Sequence, residues 1–557
     1  MNSGTVKGWP TGLPRSLDYP EVPVGELLRG ASQRFGERIA IRHGTDVLTY
    51  SSLWQRSCAF ARALADHGVG SGQTVTLHLP NCLEYAIAYY GVMLAGATFC
   101  PANPLLPKAP LSKQLSDAGT VAVVTHAGAI TPVESVLGEP EVGEAVRLVV
   151  MVGGEPGPGQ VAFDSCAPSD SPASEPPAVD IDVRRDLAHI SYTGGTTGLS
   201  KGVELTHRNV VCNVLQYVAW NHGAVPATGE SDVVTVDQVG SETDWPVRLG
   251  NGVLINLTPW FHAMGCIGSL TVPLVAGVTV ILHDRFDPAT YLADAERWRV
   301  TSMSGAPAMF AALLAEPDIG KRDLGSVRAL SSGGGPLPHE HIRLLSERLP
   351  GVVVCEGYGL TEATMGVASN PTARSSTQKL GTVGVPVFDT EVRLMDPSTG
   401  RECGQGEAGE VQVRGPQVMV GYRNRPEENA ESLVDGWLRT GDMGKFDSDG
   451  YLMIVDRLKD MLIYKGYNVY PREIEELLIA HPSVRAAAVV GRPNASVGEF
   501  PVAFVVPAGH IDVDKVTAHV NAQLLPYKRI REVVVVDQIP VSAAGKVLKR
   551  DLRDQLR

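Results

Sequence analysis

No two of the eight cysteines (Cys58, Cys82, Cys100, Cys166, Cys212, Cys266, Cys355 and Cys403) stand in C-x-x-C spacing. A structural zinc site or a dense disulfide framework needs closer spacing, so the thiols read as reduced and mostly buried, as expected of a cytoplasmic protein. Long apolar runs are also lacking: nothing approaches the ~18 consecutive apolar residues of a membrane-spanning helix. The opening MNSGTVKGWPTGLPRSLDYP has Pro and Gly where a secretory leader would have an apolar core. Positive charge is in deficit, with 48 Lys and Arg against 61 Asp and Glu for a net charge of −13. A nucleic-acid binder carries a basic face, so that class is set aside and the acidity reads as solubility.

What the chain has is length: 557 residues exceed what one hydrophobic core supports, so at least two domains are expected. Helical spacing in SSLWQRSCAFARALADHG, ending on Gly68, gives way to strand-like QTVTLHLP, then to a helix and short strand in LEYAIAYYGVMLAGATFCP. Such alternation predicts parallel sheets covered by helices. Residues 154–180, rich in Pro, Ser and Gly, read as a surface loop. Residues 229–251 read as a tolerated insertion rather than a hairpin over a pocket mouth. The last hundred residues alternate short strands with amphipathic helices, as in a small α+β domain. The charged stretch Asp456-Arg457-Leu458-Lys459-Asp460 is the boundary candidate.

Residues 191–202, SYTGGTTGLSKG, are the densest chemical signal. Thr193, Thr196, Thr197 and Ser200 offer hydroxyls, and Gly194, Gly195 and Gly198 let backbone N–H groups approach an anion. Lys201 adds a point charge suited to phosphate. The spacing is not G-x-x-x-x-G-K-[ST]. Ala188–Tyr192 reads as a strand into the loop, Val203–Leu205 as a strand out of it, and a helix starts only near Thr206. The loop is therefore expected to embrace phosphate without a helix dipole behind it.

TGGTTGLSKG resembles the phosphate loop of the adenylate-forming superfamily, which includes acyl-CoA synthetases, luciferases and peptide-synthetase adenylation domains. Further segments resemble that superfamily in its own order: TPWFHAMG (258–265), SSGGGPLP (331–338), EGYGLTE (356–362), RTGD (439–442), DRLKDMLIYKGYNVYPREIE (456–475) and IPVSAAGKVLKR (539–550). The resemblance implies an α/β fold. A large N-terminal domain (1–456) has two helix-covered mixed β-sheets and a small distorted β-barrel. A hinge (457–459) leads to a small mobile α+β C-terminal domain (460–557).

It also implies ATP, Mg²⁺ and coenzyme A as reactants, with a small-molecule carboxylic acid as substrate. Thr193, Gly194, Gly195, Thr196, Thr197, Gly198 and Lys201 would hold the phosphates, and Gly333, Gly334 and Gly335 would wall the adenine. Glu356, Gly357, Tyr358 and Gly359 would form the adenine-stacking segment, and Asp442 and Arg457 would take the ribose. An ionised carboxylate, being acceptor-only, suits the two ribose hydroxyls. Thr361 would touch the α-phosphate, while Glu362 and Thr196 would serve the Mg²⁺. The Thr361-Glu362 pair also reads as a helix N-cap, and the two readings are compatible. Lys546, with Thr361, Glu362 and His262, is implied as catalytic: a carboxylate attacking an anionic phosphorus needs charge neutralised and groups aligned. On composition alone Lys546 would be one more surface lysine beside Lys549 and Arg550. A swing about Lys459 would exchange Lys546 for Lys465, Gly466 and Tyr467, where a pantetheine thiol attacks.

The implied acyl pocket comprises Trp260, His262, Ala263, Met264, Gly265, Ala306, Gly333 and Gly366. Its small and apolar side chains are expected to leave volume for an extended or bulky acid. Amino-acid adenylation domains carry an aspartate where this chain has Phe261–Met264. A buried ammonium without that partner is strongly disfavoured. Fatty, aryl-propenoic and polycyclic acids stay open, and Trp260 is larger than the residue often found at its position. The acceptor also stays open, as coenzyme A or a carrier-protein pantetheine, and so does an enzyme of one half-reaction. A homodimer is compatible with all of these.

Overall fold

Runs such as Leu148–Val152, buried at every position, need cover on both faces of their sheet, and that requirement organises the molecule. A computed structural model describes residues 8–172, 175–193, 200–229, 233–333, 337–465, 467–494, 496–541 and 547–556. An eight-stranded sheet runs in the order Gly421–Tyr422, Gly202–Thr206, Leu187–Tyr192, Thr98–Pro101, Thr74–His78, Thr120–His126, Leu148–Val152, Gln160–Ala162. It is parallel from Leu187–Tyr192 onward and antiparallel at the phosphate-loop edge. A nine-stranded sheet carries Val353–Tyr358, Ala329–Ser332, Ser302–Gly305, Val253–Asn256 and Thr279–Leu282 in its parallel middle.

Helices fill the space around these sheets. Leu83–Leu94 is buried at every residue except Glu84, as a helix apolar all round must be. His207–His222 begins at a capping box of Thr206 and Asn209 and ends at Gly223, with φ 62°. The distorted barrel expected from the resemblance is a five-stranded antiparallel half-barrel that includes Trp437–Phe446 and Leu452–Arg457. After it comes a second five-stranded sheet, built on the hairpin Val484–Asn494/Gly498–Pro507. Its separate core includes Leu462, Ile474, Leu478, Val505 and Val516.

Three expectations are corrected. The 154–180 stretch is not wholly loop: Gln160–Ala162 adds an edge strand, and Phe163 stacks on Phe60 at 5.1 Å. The 229–251 stretch is no mere insertion but belongs to a hairpin, Ala224–Thr228/Val234–Gln238, whose second strand packs on helix Val24–Phe35. A Cβ on Gly30 would lie 1.8 Å from the Val234 carbonyl, and Trp245 just beyond is 1% exposed, so the segment is part of the core. Lys549 is no surface lysine. Its ammonium pairs with Glu475 at 2.9 Å, the two side chains being 13% and 17% exposed.

Candidate functional site

The strands on either side of the expected phosphate loop are antiparallel, with Tyr192 opposite Gly202. The Thr193 amide donates to the Lys201 carbonyl at 3.0 Å and closes the neck, and Ser200 Oγ donates to the Thr193 carbonyl. Gly194, Gly195, Thr196, Thr197 and Gly198 lie outside the described residues. The neck is braced from behind. Tyr192 Oη donates to Asp117 at 2.7 Å, and Arg423 reaches the Asp117 carbonyl and Glu204 at 2.8 and 3.0 Å. Strand Gly421–Tyr422 pairs with the strand leaving the loop, Tyr422 opposite Val203. From there the Tyr422 ring lies 4.8 Å from Lys201 Nζ.

Thr361 and Glu362 stand on a single 3₁₀ turn, Thr361–Ala363, without a side-chain cap, so the helix N-cap reading is corrected. The chain turns sharply at the next residue, where Thr364 holds φ 63°. That is a costly conformation for a β-branched residue, and such strain clusters at functional sites. Thr364 Oγ1 donates to the Gln417 carbonyl at 2.8 Å, and the Met419 amide donates to the Glu362 carbonyl at 2.9 Å. These bonds hold the turn beside the phosphate-loop strands. Glu362 Oε1 accepts from Tyr422 Oη at 2.8 Å, while Oε2 accepts no hydrogen bond among the described residues.

At the other end of the same segment, Tyr358 Oη donates to Asp442 Oδ2 at 2.7 Å. Arg457 Nε stands 3.4 Å from Asp442 Oδ1, because the two are register partners on adjacent half-barrel strands. Burial, then the Asp442 charge, pushes the Tyr358 phenol well above its usual range, so it stays a donor. Glu356 is buried and accepts from the Leu337 amide at 3.1 Å, close to the adenine-wall turn. Gly334 and Gly335 of that turn are outside the described residues. Gly357 pairs opposite Ser369, and Gly359 is a glycine of necessity, since a Cβ there would sit 1.7 Å from the Met365 carbonyl.

The acyl-pocket segment contains a π-helix, Met264–Thr271, a rare element that recurs at functional sites. A Cβ on Gly265 would be 1.9 Å from the Pro259 carbonyl, so this glycine permits backbone approach and leaves no pocket volume. The space beside Gly333 holds the Met264 thioether, 2.7 Å from where a Cβ would stand, and the space beside Gly366 holds the Tyr217 ring at 2.1–2.2 Å. The expectation that these glycines open volume is thereby narrowed. Ala263 and Ala306 are half-buried, and the His262 ring tilts against Phe261 at 4.6 Å. Trp260 is 0% exposed and packs on Tyr85 at 5.5 Å. Its indole N–H has no partner among the described residues.

Tyr217 and Tyr422 were not foreseen from sequence. The one signal for Tyr217 was Asn213, one turn earlier on the same helix face, which exchanges 3.0 Å hydrogen bonds with both backbone groups of Gly366. The remaining predicted residues lie elsewhere. Lys465 (φ 49°) and Tyr467 occupy the hairpin of Leu462–Tyr464 and Tyr467–Val469, where Tyr467 stacks on Tyr527 at 4.8 Å. Lys459 is exposed after the last half-barrel strand, and Gly466 and Lys546 lie outside the described residues.

The donor set suits Mg²⁺ in one respect only. Among the described residues no cluster of three or more His, Cys, Asp or Glu could cage an ion. One carboxylate with a free oxygen fits a cation that keeps its waters and is held chiefly by substrate phosphates. No described helix is long and apolar enough to cross a membrane.

A family model described as AMP-binding enzyme matches residues 28–423, and one described as AMP-binding enzyme C-terminal domain matches 473–546. The chain is 36% identical to a feruloyl-CoA synthase of Amycolatopsis sp, over 92% of this chain and 95% of that protein. It is 32% identical to the long-chain-fatty-acid–CoA ligase of Bacillus subtilis (strain 168), over 98% and 97%. The crystal structure of ATP-bound MatB from Rhodopseudomonas palustris superposes with a TM-score of 0.83 at 29% identity, covering 96% of this chain and 99% of that one.

Proposed function

Since the chain belongs to the AMP-binding enzyme family and is an AMP-forming acid–thiol ligase, we propose that it activates a hydrophobic carboxylic acid with ATP and passes the acyl group to coenzyme A. One observation carries this reading. The short segment from Tyr358 to Glu362 has at one end a ring bonded to Asp442 and at the other a carboxylate bonded to Tyr422 beside Lys201. That span suits an adenosine at one end and phosphates at the other.

In the first step a substrate carboxylate oxygen bonds to the α-phosphorus as the bridging oxygen to the β-phosphorus departs with pyrophosphate. Lys201 and Lys546 supply positive charge, Thr361 a hydroxyl, and Asp442 with Arg457 hold the ribose. Glu362 and Thr196 would hold Mg²⁺, which would neutralise phosphate charge. In the second step the pantetheine thiol loses its proton, its sulfur bonds to the acyl carbon, and the bond from that carbon to the phosphate oxygen breaks as AMP leaves. For this the small domain (460–557) pivots at 457–459 and presents Lys465, Gly466 and Tyr467. His262, Met264 and Tyr217 face the acyl group. The names of the two relatives support a hydrophobic acid, as does the lack of an acidic residue in Phe261–Met264, where an ammonium would need one. The setting we propose is cytoplasmic.

The test is a panel of fatty, aryl-propenoic and polycyclic acids, assayed separately for acid-dependent pyrophosphate release and for CoA thioester. Both products are expected with at least one acid. Neither product across the panel would overturn the proposal. Thioester made only from supplied acyl-adenylates would replace it with a single half-reaction.

A further inference from the structure

We infer that Tyr422 is a positioning residue that ties the phosphate loop to the metal-side carboxylate, holding Glu362 by its hydroxyl and Lys201 by its ring. The inference rests on the ATP site proposed above. Tyr422 is 9% exposed and is fixed from several directions. Its amide donates to Asn429 Oδ1 at 2.6 Å, and its carbonyl accepts from Asn429 Nδ2 at 2.9 Å. The next amide, of Arg423, donates to the Gly202 carbonyl at 2.7 Å, and the Arg423 guanidinium holds Glu204 and the Asp117 carbonyl. A side chain on so constrained a backbone transmits position.

Its two contacts do different things. The hydroxyl donates to Glu362 Oε1 and so occupies a lone pair of one carboxylate oxygen, which favours metal binding through Oε2 alone. Small Mg²⁺ prefers such a ligand, whereas larger Ca²⁺ accepts carboxylates through both oxygens. The ring face lies near the Lys201 ammonium, and a cation over an aromatic face is attracted to it. Removing the hydroxyl alone should therefore loosen the choice of metal. Removing the ring as well should also loosen the grip on phosphate.

The experiment compares Tyr422→Phe and Tyr422→Leu in the full-length protein, using a non-hydrolysable ATP analogue. Calorimetry measures analogue binding without metal, Mn²⁺ paramagnetic resonance measures metal binding to the complex, and Mg²⁺ and Ca²⁺ compete for it. Tyr422→Phe should weaken metal binding about fivefold to tenfold, the scale of one lost hydrogen bond. It should narrow the Mg²⁺-over-Ca²⁺ preference and keep the metal-free affinity. Tyr422→Leu should in addition weaken metal-free analogue binding. Wild-type metal binding and Mg²⁺/Ca²⁺ preference in Tyr422→Phe would overturn the inference. So would equal losses with and without metal together with a lowered urea midpoint, which is the mark of a structural role. Failure of the wild-type protein to bind the analogue would instead sink the proposed ATP site.

Discussion

Asp442 meets an aromatic hydroxyl and a guanidinium at once, Tyr358 at 2.7 Å and Arg457 at 3.4 Å. Asp442→Asn keeps an oxygen for Tyr358 but loses the charge. KM for ATP should rise about 10- to 100-fold, the range of one or two charge-assisted hydrogen bonds. The preference for ATP over 2′,3′-dideoxy-ATP should collapse, and a preference kept intact would contradict a ribose-binding role. That Asp442 and Arg457 would stand together was legible, since each stands in a quoted motif; that Tyr358 would bond to Asp442 was not. The glycines were misread for a physical reason: a sequence records that Gly265 and Gly366 lack side chains, not that Pro259 and Tyr217 occupy the space left. Tyr422 was illegible because its partners Lys201 and Glu362 lie far from it along the chain.

At the scale of elements, alternation was readable where apolar patterning is strong, as in Thr74–His78 and Leu83–Leu94. It failed for Gln160–Ala162, three residues long in Pro- and Ser-rich surroundings. It failed also for Val234–Gln238, read as part of an insertion; its partner strand Ala224–Thr228 holds Pro226, which is tolerated in a two-stranded pair with open edges. The π-helix has no composition of its own and could not be read. The terminal helix Lys549–Asp554 is bound to the small domain by Leu552, buried against Ala488, Val490, Val502 and Phe504, by Arg553 on Asp460 at 2.6 Å, and by the Glu475–Lys549 pair, in which burial raises the Glu475 pKa despite its partner. Lys549→Ala strands a buried carboxylate and should destabilise the small domain by about 3–5 kcal/mol. The paired change Glu475→Leu with Lys549→Met should recover most of that loss. All seven tryptophans precede residue 456, so fluorescence-detected unfolding should stay put while hydrogen exchange in Pro471–Ile479 accelerates. Unchanged exchange there would refute the anchoring role.

For the whole molecule, length predicted at least two domains, but strand order follows from partners far apart in sequence and was not readable. Among the described residues the large domain buries four imidazoles, His78, His189, His207 and His222. Burial lowers their pKa values to about 4, about 3, about 4 and about 4. Below the unfolded value of ~6.5 the unfolded chain takes up protons that the folded chain refuses, so stability falls with pH. The stabilisation is complete above pH ~6.5 and is lost towards pH ~4, with each imidazole contributing a slope of up to ~1.4 kcal/mol per pH unit. The tryptophan-detected urea midpoint should drop clearly from pH 7.5 to pH 5. A flat profile would mean that these sites open to water.

The brace behind the phosphate loop bears on how the protein is made. Glu204 and Arg423, which join the loop's outgoing strand to its neighbour, are 219 residues apart. During synthesis the loop therefore emerges long before its supporting strand exists. Any chaperone dependence should end only once the Gly421–Tyr422 strand has left the ribosome.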